Sequence, residues 1–221
     1  MLYLLSILFL LMSASLHAYV PGNAEQQSPY TEKAIDILNE ARQKLNTHDA
    51  LLINFTFSAS EAFFDMDDEM DGYMYAKQDK FYIKSGTTHF LSDGTIAWTY
   101  LESVNEVHIS MLEDSETVIT PKSLLENFTE TFNPLWIRKE NDTGQELHVI
   151  DMVYIEPLSF QKYRIAIEES TGFLKYISAF DLQGNTYTYY ITSTVVNPEI
   201  PEGLFTFDPE KHPGIEVVDL R

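Results

Sequence analysis

The sequence predicts an α+β chain, mainly antiparallel β: an unclosed, strongly curved β-barrel of ten or eleven strands, with helices lidding an apolar concave face. Three observations predict it. Apolar and polar residues alternate through most of the chain, the period of a strand with one buried face. Short turns rich in Asp, Asn and Gly join the alternating runs, as in an antiparallel meander. Two segments carry helical spacing instead, one before the first run and one in mid-chain. The clearest specimen of the alternation is Leu91-Ser-Asp-Gly-Thr-Ile-Ala-Trp-Thr-Tyr100, where a strand tip, a Ser92-Asp93-Gly94 turn and a second strand follow without slack.

The 221 residues open with MLYLLSILFLLMSASLHA. The run Leu2–Met12 has the length of a signal-peptide core and is too short to span a bilayer. Ser13, Ala14, Ser15 and Ala18 supply small residues for cleavage after Ala18 or Ser15, although no Lys or Arg precedes the run; an uncleaved anchor is the alternative. The expected organisation is a signal peptide over 1–18, a flexible leader over 19–28 and one domain over 29–221. The expected product is exported to the periplasm, soluble and monomeric.

Ser28-Pro29 reads as an N-cap with Pro in the first helical position. Ala34, Leu38, Ala41 and Leu45 then form a narrow stripe of small and branched side chains. The first long strand is expected over Leu51–Phe64, followed by an acidic hairpin loop, Asp65 to Asp71. Asp67, Glu69, Asp71 and Gly72 mimic the early positions of a calcium loop, but Gln78 stands where the bidentate Glu belongs and no helices flank it. Strands follow at Gly72–Lys77, Lys80–Ser85, Thr87–Leu91, Thr95–Leu101 and Val104–Met111. Thr120-Pro121 opens the mid-chain helix, with Leu124, Leu125, Phe128 and Phe132 on one side, ending near Asn133-Pro134. The sheet resumes over Glu146–Ile155, Phe160–Glu168, Phe173–Leu182 and Asn185–Val196, and closes with Ile215–Leu220.

Chemistry is excluded more readily than it is found. With no cysteine there is no disulfide, thiolate nucleophile or Cys-bound metal. A net charge of −20 opposes nucleic acid and anionic headgroups alike. The six His residues show no metal-ligand spacing, and neither a nucleophile elbow nor a phosphate-binding loop occurs. No catalytic residue, metal or cofactor is expected. Aromatic enrichment remains: Phe55, Phe57, Tyr73, Tyr75, Phe81, Ile83, Phe90, Trp98 and Tyr100 all point to the concave side if the strand parities agree. Residue by residue these side chains also suit an ordinary core filled by the two helices; taken together they exceed what two slender helices cover, and the surplus reads as a hydrophobic ligand cavity. About ten sheltered methylenes of an acyl chain gain roughly 8 kcal/mol there, before ordering costs.

Certain residues come in a recognisable order: Gly72-Tyr-Met-Tyr75 before a turn, Lys80-Phe81, Leu91-Ser-Asp-Gly94 with Trp98 and Tyr100, and Thr120-Pro121. Asp181, Gly184-Asn185, Tyr189 and the ending Phe205-Thr-Phe207 with Pro213-Gly-Ile-Glu-Val217 continue it. From about residue 30 to 219 the chain resembles the LolA-type periplasmic carriers of outer-membrane lipoproteins. The resemblance implies an unclosed barrel that shields acyl chains without a cofactor. Its partners would be an inner-membrane lipoprotein-releasing transporter and an outer-membrane acceptor, and its lid would carry Leu124, Leu125 and Phe128. Typical carriers place Arg-Pro in the turn before the Phe81 strand, where the Arg helps latch the lid. Here Gln78-Asp79 occupies the turn, so the latch position is Gln78 and its charge is lost. Two further readings stand beside the carrier: a lipid or glycolipid sensor of the same fold, and a hydrolase using paired carboxylates.

Overall fold

A computed structural model describes residues 28–61, 64–114, 120–126, 128–156 and 160–221. The expected signal peptide and leader fall on residues 1–27, outside the described residues, and on Ser28, which caps the first helix.

Helix α1 (Pro29–Leu45) begins where the cap chemistry predicts: the Ser28 hydroxyl accepts from the Tyr30 N–H at 3.4 Å, and Pro29 holds the first turn. Its stripe is buried at Ala34, Leu38 and Ala41, with Ala34 and Leu38 at 0% exposure, and half-buried at Leu45. The alanines let the helix axis come close to the sheet. Twelve strands follow: β1 (Leu51–Glu61), β2 (Phe64–Lys77), β3 (Lys80–Ser85), β4 (Thr88–Ser92), β5 (Ile96–Leu101) and β6 (Glu106–Met111), then β7 (Phe132–Asp142), β8 (Gln145–Tyr154), β9 (Phe160–Glu168), β10 (Leu174–Asp181), β11 (Thr186–Val196) and β12 (Glu216–Asp219). Two short helices, α2 (Pro121–Leu125) and α3 (Phe128–Thr131), interrupt the strands between β6 and β7.

All twelve strands form one sheet, ordered β12-β6-β5-β4-β3-β2-β1-β11-β10-β9-β8-β7. Every pairing is antiparallel except that of β12 with β6. Edges β12 and β7 do not pair, so the barrel is unclosed. Phe90 of β4 and Tyr163 of β9, six places apart in that order, nevertheless line one cavity, which requires strong curvature.

Three expectations need correction. Strand β7 runs through Asn133-Pro134, where the sequence predicts a helix end, and brings the described sheet to twelve strands against the expected number of about ten or eleven. Proline lacks a ladder donor and breaks a central strand, but β7 is an edge. The mid-chain helix is accordingly two short pieces, and Phe132 opens a strand. The acidic stretch after Asp65 lies within strand β2, not in a hairpin loop.

The Ser92-Asp93-Gly94 turn is as the sequence reads. Gly94 takes φ +96°, open to glycine at little cost. Asp93 Oδ1 accepts from Thr95 and Ile96 N–H, each at 2.9 Å, and the Ser92 hydroxyl donates to the Ile96 carbonyl at 2.8 Å.

Candidate functional site: an apolar cavity inside the curved sheet

Strand register decides which side chains face the hollow. Across β1 and β2, Ile53 opposes Met74 and Leu51 opposes Ala76; across β2 and β3, Met74 opposes Ile83 and Ala76 opposes Phe81; across β3 and β4, Ile83 opposes Phe90. These residues share the concave face. On the far side, Phe57 opposes Tyr189, Tyr189 opposes Ile177 and Ile177 opposes Ile165.

Between the two sides lies a cavity of about 360 Å³. Of the residues expected to line it, Phe55, Phe57, Ile83 and Phe90 do so, and Leu125 of α2 closes it from the lid side. Leu124 and Phe128 sit deeper, packed with α1 and with Ile150 and Ile165 in the main core. Phe81 is buried on the concave face but away from the cavity.

Tyr73, Tyr75, Trp98 and Tyr100 are placed on the outer face, contrary to expectation. The register pairs Tyr75 with Tyr82, His89 with Tyr100 and Leu91 with Trp98, opposite in parity to Met74, Ile83 and Phe90. Most of these rings pack against neighbours on that face, and one is covered from outside. Tyr73 packs on Tyr75 and Tyr82, and Tyr82 on His89. Tyr100 lies under Phe207 and His212 of the returning C-terminal segment, with ring centroids 5.3 and 4.6 Å away. Burial, then Tyr73, pushes the Tyr82 hydroxyl above the ordinary phenol range.

The lining that alternation alone missed comes mostly from the second half of the chain: Phe160, Tyr163, Phe173, Ile177, Tyr187, Tyr189 and Ile191, with Met74 from the first. Among the described residues no charged side chain lines the cavity. The Tyr163 hydroxyl accepts from the Tyr154 hydroxyl at 3.2 Å and Tyr187 donates to Asp181 at 3.3 Å, so both phenols already have protein partners. Burial holds the Tyr163 hydroxyl well above its ordinary range, with Tyr154 adding to it. Tyr189 lines the hollow with 40% of its surface open while its ring packs on Phe55 and Phe57, and burial raises its hydroxyl too.

Gly72 shapes one wall. A Cβ there would stand 2.6 Å from two ring carbons of Phe55 and 2.7 Å from the Lys84 carbonyl oxygen. The Phe55 ring therefore lies across a position that only glycine leaves free, and buries it from the cavity side.

The lid is tied at the turn that precedes Phe81, although not through Gln78. Gln78 takes φ +55° in the turn, and its neighbour Asp79 receives Lys122 of α2, with Nζ 2.7 Å from Oδ1. That hydrogen bond raises Lys122 above the usual lysine range. The charges run opposite to an Arg in the turn: the acid is on the turn and the base on the lid.

Among the described residues no three His, Asp or Glu side chains are grouped to hold a metal, and no helix is long and apolar enough to cross a membrane. A solved structure of an uncharacterised conserved protein from Thermus thermophilus superposes with a TM-score of 0.59 at 12% identity, covering 85% of this chain and 99% of that one. The two chains share a fold. A putative outer-membrane lipoprotein-sorting protein domain from Vibrio parahaemolyticus overlaps less, at TM-score 0.48 and 11% identity, covering 80% of this chain and 97% of its own. A LolA superfamily protein from Nitrosomonas europaea gives 0.42 and 14%, covering 79% and 98%. No protein-family model matches the sequence, and no curated protein matches it either.

Proposed function

We propose that the protein is a divergent LolA-like carrier that shelters lipoprotein acyl chains in its cavity and moves them across the periplasm without chemistry. One observation carries the reading: the described helices do not fill the concave face, and the space left is walled mainly by hydrocarbon and aromatic rings, with no charged side chain among the described residues. Such a surface gains from an apolar guest, and among the described residues it offers a carboxylate-dependent hydrolase no acid or base at the cavity wall. The Leu125 lid and its Lys122–Asp79 tie supply a door that opens without breaking the sheet. An inner-membrane releasing transporter would load the carrier and an outer-membrane acceptor would empty it.

The test is release of radiolabelled lipoprotein from inner-membrane vesicles. With the protein present, label is expected in the supernatant as a one-to-one complex. Label that stays in the vesicles with or without the protein would sink the carrier. A lipid sensor of the same fold is separated by depletion, since only loss of a carrier strands lipoproteins in the inner membrane.

A further inference from the structure

Among the described residues His148 is the one buried histidine, 8% exposed and in step along β8 with the core residues Ile150 and Met152. The Trp136 indole N–H donates to His148 Nδ1 at 3.3 Å. An indole nitrogen only donates, so Nδ1 is the bare acceptor and the single ring proton of the neutral imidazole sits on Nε2. Nε2 lies 3.8 Å from Glu169 Oε1, too far for a hydrogen bond. Trp136 in turn seats the first turns of α1. Lys33 Nζ stands 3.3 Å from the centre of its ring, and the Tyr30 ring lies nearly parallel, 8° off, with centroids 6.3 Å apart. Trp136 belongs to edge strand β7, which pairs with β8 alone, and the ladder slips between Trp136 and Arg138. One hydrogen bond thus joins the start of α1, through Trp136, to a buried titratable ring. The charged groups acting on that ring are Lys33 and Glu40 of α1, Lys139 of β7 and Glu169 of the β9–β10 turn. Both acids are already engaged: Glu169 with Lys139 at 2.8 Å, and Glu40 with Lys44 at 2.8 Å, whose Nζ also donates to the Glu169 carbonyl at 3.1 Å. Burial outweighs them and holds His148 below the ordinary histidine range.

We infer that His148 and Trp136 form a pH-operated clasp between α1 and edge strand β7, closed while the imidazole is neutral and opened when Nδ1 takes a proton. A protonated Nδ1 is a donor facing a donor, so the indole N–H loses its acceptor. Glu169 draws the imidazolium the other way, through Nε2, while the ammonium groups of Lys33 and Lys139 oppose the new charge. Trp136 is then free to turn, and the Lys33 and Tyr30 contacts that depend on its orientation loosen with it. The sign follows from burial: a histidine whose folded pKa is depressed adds stability that is full above its unfolded value, about pH 6.5, and is lost as pH falls from there toward the folded value. The clasp needs no guest in the cavity. It holds the N-terminal turns of α1, whereas Leu45 at the helix's other end lines the hollow.

Nitrogen-labelled full-length protein tests this by NMR between about pH 8 and about pH 5, a span that brackets the ordinary histidine value. At the upper end His148 is expected with its proton on Nε2. The Trp136 indole resonance should then shift with the same midpoint as His148, below about pH 6.5. Amide exchange over residues 30–38, corrected for its intrinsic pH dependence, should quicken by about tenfold across that midpoint. A proton on Nδ1 at the upper end, or an indole resonance that stays put while His148 titrates, overturns the clasp. Two variants separate it from mere packing. Trp136→Phe keeps a ring for Lys33 and Tyr30 but has no donor, so exchange in α1 should no longer follow His148. His148→Gln offers an amide oxygen that accepts at any pH, so α1 should stay protected at about pH 5. If Trp136→Phe keeps the wild-type response, or His148→Gln loosens as the wild type does, the response arises elsewhere and the clasp is wrong.

Discussion

Beneath α1, the concave face around Ile150 and Met152 of β8 and Ile165 of β9 is packed solid: all three are at 0% exposure, closed in by Ala34, Leu38 and the lid residues Leu124 and Phe128. Over β1–β4, the same face of the same sheet carries side chains of similar chemistry, yet Phe57, Ile83 and Phe90 are only half-buried and border a cavity. The strands do not differ in pattern. The difference is coverage, because α1 and α2 are too few and too slender to span the whole curve. A hollow in this fold is made by what is left off the sheet, and its edge falls at Leu125 and Leu45, where the helices end.

The sharpest way to break this comparison is to trim one isoleucine on each side. Ile165→Ala leaves a new void in a closed core and should cost about 3–4 kcal/mol in urea unfolding. Ile83→Ala enlarges an existing space and should cost about 1 kcal/mol. Acyl-chain affinity should respond in the reverse sense, falling for Ile83→Ala and holding for Ile165→Ala. If the two variants lose equal stability, the hollow half is packed as tightly as the filled one.

Next in size is Asp151 on the outer face of the filled half, 6% exposed between Lys162 (2.6 Å) and Arg164 (2.6 Å). Burial alone would raise its carboxyl, but the Arg164 and Lys162 hydrogen bonds outweigh it and hold the group below the ordinary Asp range. A depressed folded pKa means stability that is full above the unfolded value and lost as pH falls through the folded one, here below about pH 4. Asp151→Asn should cost about 2–3 kcal/mol at pH 7, less than a fully buried pair because both cations remain about a quarter exposed. It should also flatten the acid limb of the stability curve. An unchanged acid limb would assign that limb to other carboxylates.

Much of this organisation is written in local pattern. The Ser28-Pro29 cap, the Ala34-Leu38-Ala41 stripe and the Ser92-Asp93-Gly94 turn are short-range signals, and each forms where it reads. Side assignment is a long-range matter, and there the reading by aromatic size fails. Trp98 and Tyr100 alternate correctly but face out, and Phe207 and His212 return from over a hundred residues away to cover Tyr100. Where the outer face also carries Tyr73, Tyr75, Trp98 and Tyr100, no polar side marks the outside. The deciding feature is the two-residue Gln78-Asp79 turn, which fixes the register so that Tyr75 opposes Tyr82 and Phe81 opposes Ala76. Tyr75 and Phe81 therefore cannot share a face. Edge strand β7 is hidden by Pro134, a residue that argues against a strand until the strand is known to be outermost.

An effect of similar size is expected at the wall between the two regions. Gly72→Ala places a methyl within 2.6 Å of the Phe55 ring, which must swing into the cavity. The Lys84 carbonyl, 2.7 Å from the same methyl, must shift as well, so the strain should cost about 2–3 kcal/mol, and the narrowed cavity should weaken acyl-chain binding further than the stability loss alone. Binding unchanged in a folded variant would mean that the Phe55 ring does not border the guest.

The smallest effect belongs to the lid tie. Asp79 is 69% exposed and Lys122 30%, so their ion pair is screened by solvent and contributes under about 1 kcal/mol. Global stability should barely move in Asp79→Asn or Lys122→Gln. Ligand escape should move more visibly, since the pair joins the turn before β3 to the helix carrying Leu125 and would have to break for the proposed lid to lift. An off-rate roughly two- to fivefold faster is expected at low salt for either variant. At high salt the wild type should approach the variants, because ions screen a pair already near water. Exchanging the charges, Asp79→Lys with Lys122→Asp, should restore the slower rate. If the exchange does not rescue it, the two residues act on the lid separately and the pair is an incidental surface contact.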